Sequence, residues 1–253
     1  MNKSLLIILA GFALFSCAGL DQQDTSDDAI SHDGTLEYIT AVSPGAQVKT
    51  LTEDGVKVLW EDGDQIGMYV AESSTDNELK RKAVFTTNLD VPSDQARFGR
   101  TSDLKTGKVN EQYLAVYPAS AVAKWNISIG DENPFCYVNV PAQQTAIKGS
   151  WDKNAAVLAA TSETKEFVFR HVVSYLRFDV TEQSGEFVSV RLSSVNKEKL
   201  SGQQVGVRYV DSNKLEVIPN ESSTDYVVLR SPENVAFEDG GYYMTFMPGE
   251  FSE

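Results

Sequence analysis

Short runs in which apolar residues recur at every second position constrain this chain more than any other feature. They occur at residues 66–70, 113–117, 188–192, 205–209 and 242–246, and turn residues such as Asp-Gly and Asp-Ser-Asn separate them. A period of two residues puts successive side chains on opposite faces of a strand, and many short strands broken by turns are typical of β-sandwiches. No long stretch shows the 3.6-residue period of an amphipathic helix. The sequence therefore predicts an all-β fold.

The charge of the chain limits its partners and its chemistry. Its 36 acidic and 22 basic residues give a formal net charge of −14. A protein that binds nucleic acid needs clustered Lys and Arg to displace counterions, so nucleic acid is not an expected partner. Two histidines and two cysteines supply few zinc ligands, and no nucleotide-binding, metalloprotease or nucleophile-elbow motif occurs. We expect no enzymatic activity, no metal site and no cofactor.

The first residues are typical of a secretion signal. Lys3 precedes an apolar run at residues 5–15, which is shorter than the roughly 20 residues that a membrane-spanning helix needs. The run ends at Leu14-Phe15-Ser16-Cys17, which resembles a bacterial lipobox. A lipobox implies that residues 1–16 are a signal peptide and that Cys17 becomes the acylated first residue, held at a membrane by its acyl chains. A plain secretory signal with a coincidental cysteine is the alternative.

The segment after the signal is predicted to be an acidic tether, and two domains are expected beyond it. Residues 17–33 are polar, rich in Asp and free of Lys and Arg. The like charges of the segment repel one another, and it has few apolar side chains to bury in a core. Acidic residues close to a lipidated cysteine also resemble a surface-export signal of Bacteroidetes lipoproteins, and a mere spacer is the alternative. We predict an N-terminal β-sandwich at residues 34–168 and a C-terminal one at residues 169–253. The pattern predicts one long strand at residues 167–180 and leaves open which domain holds it.

Six short motifs follow one another along the chain. They are VLWEDGDQIG at residues 58–67, ARFG at 96–99, YLAVYP at 113–118, VPAQQ at 140–144, FRH at 169–171 leading into YLRF at 175–178, and YYMTFMPG at 242–249. Together, behind the lipobox, they resemble the fimbrillin family of Bacteroidetes, the subunits of type V pili. The motif positions, which we expect to be structural, are Trp60, Gly63, Asp64, Phe98, Tyr117, Pro118, Gln143 and His171.

The resemblance implies a fold, a location and a mode of assembly. Family members have tandem transthyretin-like β-sandwich domains, are exported as lipoproteins, and lose their first strand to a protease that is typically arginine-specific. An extended segment of a neighbouring subunit then fills the groove by β-strand addition. The resemblance thus implies an outer-membrane, cell-surface pilus subunit, or an anchor or tip component, that supports cell adhesion. Its implied partners are other pilus subunits, the outer membrane through Cys17, and a host or bacterial surface ligand.

Two features depart from the family pattern. No arginine precedes Arg81, and the first basic residues after the signal are Lys49 and Lys57, which are therefore the candidate processing sites. Without cleavage the chain would keep its first strand, as an anchor or tip component could. The sequence also stops at Glu253, soon after a predicted strand, so the second sandwich is expected to be incomplete. Either the sequence is a fragment, or a partner supplies the missing strands.

Three other residues have both a functional and a simpler interpretation. Cys136 has no intramolecular partner once Cys17 is acylated, and we expect it to be a small buried residue. Trp125 and Trp151 lie in polar surroundings and could stack on a sugar or be partly buried. The sugar-stacking interpretation corresponds to an alternative function, a glycan-binding outer-membrane lipoprotein of a nutrient-uptake system, in which Trp125→Ala or Trp151→Ala would abolish oligosaccharide binding.

Overall fold

Strands make up nearly all the regular structure of the described residues, which confirms the predicted all-β class. The computed structural model describes residues 36–44, 58–71, 81–101, 112–124, 136–182, 185–211 and 214–251. The strands are β1 Leu36–Val42, β2 Gln65–Ala71, β3 Arg81–Thr87, β4 Gln95–Thr101, β5 Gln112–Tyr117, β6 Val122–Lys124, β7 Cys136–Val140, β8 Gln143–Thr145, β9 Leu158–Ser162, β10 Glu166–Val168, β11 Arg170–His171, β12 Ser174–Val180, β13 Ser189–Ser193, β14 Gly202–Asp211, β15 Lys214–Ile218, β16 Tyr226–Arg230 and β17 Gly240–Phe246. Single turns of 3-10 helix lie at Ala119–Ala121, Lys153–Ala155 and Pro232–Asn234.

Eight strands form one nearly closed sheet, in the order β10-β1-β4-β3-β2-β5-β9-β11. Its two edge strands are consecutive in the chain, since only Phe169 separates β10 from β11. β10 pairs in parallel with β1, and β11 pairs antiparallel with β9. The inner face of this sheet holds an aromatic core that includes Trp60, Phe85, Phe98 and Phe167.

Around β5, the outer face of the same sheet is also buried. Leu114 and Val116 of β5 pack in one cluster with Val138 and Val205, which belong to a four-stranded sheet in the order β15-β14-β7-β6. β5 is therefore buried on both faces. This double burial explains why residues 113–117 are an unbroken apolar run as well as an alternating one.

Two smaller sheets enclose a third hydrophobic core. β12 pairs with β17 in one sheet, and the other has the order β13-β16-β8. Val180, Leu229 and Met244 are among the buried residues between them. Within the described residues this core lies between a two-stranded and a three-stranded layer, which together we call the second sandwich.

Strand pairs cross the predicted domain boundary between residues 168 and 169. β7 pairs with β14, and β8 pairs with β16. Residues 167–180, expected as one long strand, are divided between sheets, because β10 and β11 belong to the eight-stranded sheet whereas β12 pairs with β17. The domain limits at residues 34–168 and 169–253 stay a prediction.

Candidate functional site

Trp60 lies at the centre of the aromatic core. Its side chain is fully buried, and its ring makes edge contacts with Phe98, Tyr117 and Phe169 at centroid distances of 5.3, 5.2 and 5.3 Å. Its Nε1 donates a hydrogen bond of 3.1 Å to the carbonyl oxygen of Ala41 in β1. The structure therefore brings together motif residues that are far apart in sequence and attaches them to the first strand.

The turn after Trp60 is held by Asp64. Gly63 has a φ of +74°, in the left-handed region that favours glycine. Asp64 Oδ2 accepts the backbone N–H of Glu61 at 2.8 Å, and Oδ1 accepts the hydroxyl of Tyr117 at 3.1 Å. Burial, with the neighbouring Asp64 carboxylate as a further cause, raises the pKa of Tyr117. Tyr117 joins Pro118 through a cis peptide bond. Gly63 and Asp64 therefore shape this turn, and the Tyr117 hydroxyl attaches it to the end of β5.

β1 is inserted between two other strands. It pairs antiparallel with β4 along its whole length and in parallel with all three residues of β10. Ile39 and Ala41 point into the aromatic core and are 1% and 0% exposed. Backbone bonds from Thr40 N to Lys165 O and from Ser43 N to Asp94 O, 2.9 and 2.7 Å long, hold it further. We call the channel between β4 and β10, with Trp60 at its inner side, the β1 slot.

Gln144, rather than the predicted Gln143, is the buried glutamine of the fourth motif. Gln143 is exposed, whereas Gln144 is 3% exposed. Gln144 Oε1 accepts the N–H of Thr245 at 2.9 Å, and its Nε2 donates to the carbonyl oxygens of Thr245 and Pro141 at 2.6 and 3.2 Å. The side chain thus takes the place of a strand partner beside β17. The fourth motif resembles the pattern Pro-x-x-Gln, and in that pattern the glutamine that follows Pro141 by three residues is Gln144.

His171 is packed without polar partners. Its ring makes an edge contact with Tyr175 at 5.2 Å, and within the described part of the chain neither ring nitrogen nor the Tyr175 hydroxyl has a hydrogen-bond partner. Burial lowers the pKa of His171 to about 4. These contacts support the structural role expected of His171.

The low pKa of His171 predicts a loss of stability in mild acid. In the unfolded chain the His171 imidazole binds a proton near pH 6.5, whereas in the folded chain it does so only near pH 4. The free energy of unfolding therefore has its full value above pH 6.5 and decreases as the pH falls toward 4. At about 1.4 kcal/mol per pKa unit, the difference between pKa values of 6.5 and about 4 corresponds to about 3 kcal/mol in full, and about 2–3 kcal/mol of it is lost by pH 4.5.

His171→Phe keeps an aromatic ring and removes this proton. Urea unfolding of both proteins at pH 7.5 and pH 4.5 should show that the wild type loses about 2 kcal/mol more than the variant between the two pH values. At pH 7.5 the variant should be at least as stable, because it no longer buries unpaired nitrogens. An equal pH dependence of the two proteins would contradict the prediction.

Several predicted residues lie outside the described part of the chain. They are Cys17, Lys49, Lys57 and Trp125. Trp151 is described and half-buried, and its ring makes edge contacts with Tyr175 at 5.4 Å and with Tyr243 at 5.9 Å. This packing agrees with the simpler interpretation of Trp151.

The described residues include one free thiol and no group of potential metal ligands. Cys136 is a buried free thiol, as expected, and burial raises its pKa to about 12, which keeps it protonated at neutral pH. Within the described ranges, no three His, Cys, Asp or Glu side chains are grouped so that they could hold a metal ion. No helix in that part of the chain has the length and apolar character to cross a membrane.

The second sandwich exposes apolar side chains along one side. A groove of about 310 Å³ lies beside β12 and β13 and is lined by Leu176, Leu192, Phe246 and Phe251, among others. β12 and β13 are edge strands of their sheets. Leu176 and Phe251 are 38% and 48% exposed.

The solved structures that are similar to this chain include two fimbrial proteins, both at low similarity. No family model and no curated protein matches the sequence. A fimbrial assembly protein from Parabacteroides distasonis is 12% identical, with a TM-score of 0.33, over 84% of this chain and 88% of that one. A fimbrial protein from Bacteroides ovatus is 14% identical, with a TM-score of 0.34, over 86% of this chain and 46% of that one. This chain thus matches about half the length of the second neighbour.

Proposed function

We propose that this chain is a cell-surface lipoprotein of the fimbrillin type, a pilus subunit or an anchor or tip component. It is held at the outer membrane through Cys17, assembles with other pilus subunits by β-strand addition, and supports cell adhesion. The lipobox and the order of the six motifs support this proposal from the sequence. The position of β1 supports it from the structure.

The proposal depends most on how β1 is held. It is the first described strand, both of its edges are paired, and its inward side chains fill part of the aromatic core. Lys49 and Lys57 lie between β1 and Trp60. Cleavage there followed by loss of β1 would uncover unpaired main-chain groups on β4 and β10 and an apolar channel between them. Such an edge binds an extended segment of another chain, and a head-to-tail contact of this kind builds a filament.

Controlled cleavage tests this proposal. A specific protease site is placed after residue 49 in the mature chain, and cut and uncut proteins are mixed with a sibling pilus subunit. We expect the cut protein to form oligomers whose mass, measured by light scattering, increases with concentration, while the uncut protein stays monomeric.

Two controls accompany the cleavage experiment. An excess of a peptide of residues 34–48 should keep the cut protein monomeric, because it refills the β1 slot. Intact mass of the protein from native outer membranes shows whether the natural chain begins at an acylated Cys17 or after Lys49 or Lys57. If neither the cut nor the uncut protein associates with a sibling subunit, the assembly role is wrong.

A further inference from the structure

We propose that the β1 slot selects its strand by side-chain order. The order is an aromatic residue, then a large aliphatic residue, then, two positions later, a residue as small as alanine. In this chain the three positions are Tyr38, Ile39 and Ala41. The inference rests on the proposed function and deepens it, since it specifies the sequence class of a donor strand from another subunit.

The aromatic position is defined by a glycine on the neighbouring strand. Tyr38 lies directly opposite Gly99 of β4. A Cβ atom on Gly99 would be 3.0 Å from Tyr38 Cε1 and 3.2 Å from Cδ1, so the ring occupies the space that a side chain would need. The guanidinium carbon of Arg97 lies 3.5 Å from the centroid of the same ring. Gly99 and Arg97 together form a shallow site for a flat aromatic ring, in which cation–π attraction also contributes.

The two inward positions are defined by the aromatic core. Ile39 is 1% exposed and lies opposite Phe98. Ala41 is fully buried, with Ala96 on one side and Phe167 on the other. A larger side chain at position 41 would meet a core that is already filled. An aliphatic side chain at position 39 fills space that alanine would leave as a cavity.

The backbone adds a direction to the side-chain order. The strand in the slot runs antiparallel to β4 and parallel to β10. At position 41 it also supplies the carbonyl oxygen that accepts the hydrogen bond of Trp60 Nε1. A strand in the reverse direction would place its side chains in another order along the slot.

Exchange of peptides into the β1 slot of the mature chain cut after residue 49 tests the selection rule. Fluorescent peptides of residues 34–48 compete for the β1 slot, and their dissociation constants are measured by anisotropy. We expect Tyr38→Ala and Ala41→Leu peptides to bind about tenfold more weakly or worse. Tyr38→Phe is the matched control, because it keeps the ring, and should bind within about twofold of the natural peptide. The reversed sequence should not compete.

A Gly99→Val protein separates ring recognition from general loss of binding. Valine fills the space under the ring, so this protein should bind the natural and the Tyr38→Ala peptides about equally. If all peptides bind the natural protein equally well, the selection rule is wrong while the assembly role stands. If no peptide binds the cut protein and it does not associate with sibling subunits, both are wrong. An equal preference for Tyr38 in the Gly99→Val and natural proteins would also overturn the rule.

Discussion

Replacing Trp60 with alanine is expected to lower the free energy of unfolding by about 3–5 kcal/mol. The indole is fully buried and makes edge contacts with three aromatic rings. Its removal leaves a large cavity and also an Ala41 carbonyl oxygen without the indole N–H. Urea unfolding followed by far-UV circular dichroism measures the change.

Trp60→Phe separates the two contributions. Phenylalanine keeps much of the aromatic packing but cannot donate to Ala41, so we expect a smaller loss of about 1–2 kcal/mol. Because the lost bond joins the core to β1, amide hydrogen exchange should become faster in β1 than in β5. A loss of less than 1 kcal/mol for Trp60→Ala would show that the ring is not an anchor of this core.

Replacing Gln144 with alanine is expected to destabilise the second sandwich by about 2–4 kcal/mol. The variant leaves the N–H and the carbonyl oxygen of Thr245 without the side chain that bonds to both. Each buried backbone group that loses its partner costs about 1–3 kcal/mol, and water entering the site offsets part of that cost. Urea unfolding under the conditions used for Trp60→Ala measures the loss.

Gln143→Ala is the matched control for Gln144→Ala. Gln143 is its exposed neighbour on the same strand, and its loss should change the free energy of unfolding by less than about 0.5 kcal/mol. Gln144→Glu keeps an acceptor for the Thr245 N–H, but at neutral pH it places a carboxylate beside the Thr245 carbonyl oxygen. It should therefore be more destabilising at pH 7 than at pH 4.5, relative to the wild type. Equal effects of Gln143→Ala and Gln144→Ala would contradict the assignment.

The local pattern of the sequence was sufficient for the class of fold and for the core positions in its motifs. Alternation at residues 66–70, 188–192 and 242–246 predicted strands that the structure contains, and Trp60 and Phe98 were predicted as structural positions and lie in the core. A repeat of two residues depends only on the geometry of a single strand and on which of its faces is apolar. That information is present in a few consecutive residues.

Only the tertiary structure decided which strands are neighbours and which side chains meet. Gln143 was predicted although the spacing from Pro141 indicates Gln144, and no local pattern shows that Gln144 bonds to Thr245, a residue 101 positions away. The strand expected at residues 167–180 divides between two sheets, and β1 lies between β4 and β10, next to the glycine that accommodates Tyr38. The physical reason is that hydrogen-bond ladders and core contacts join residues distant in sequence. The period of a strand records that one face is buried, but not which partner buries it.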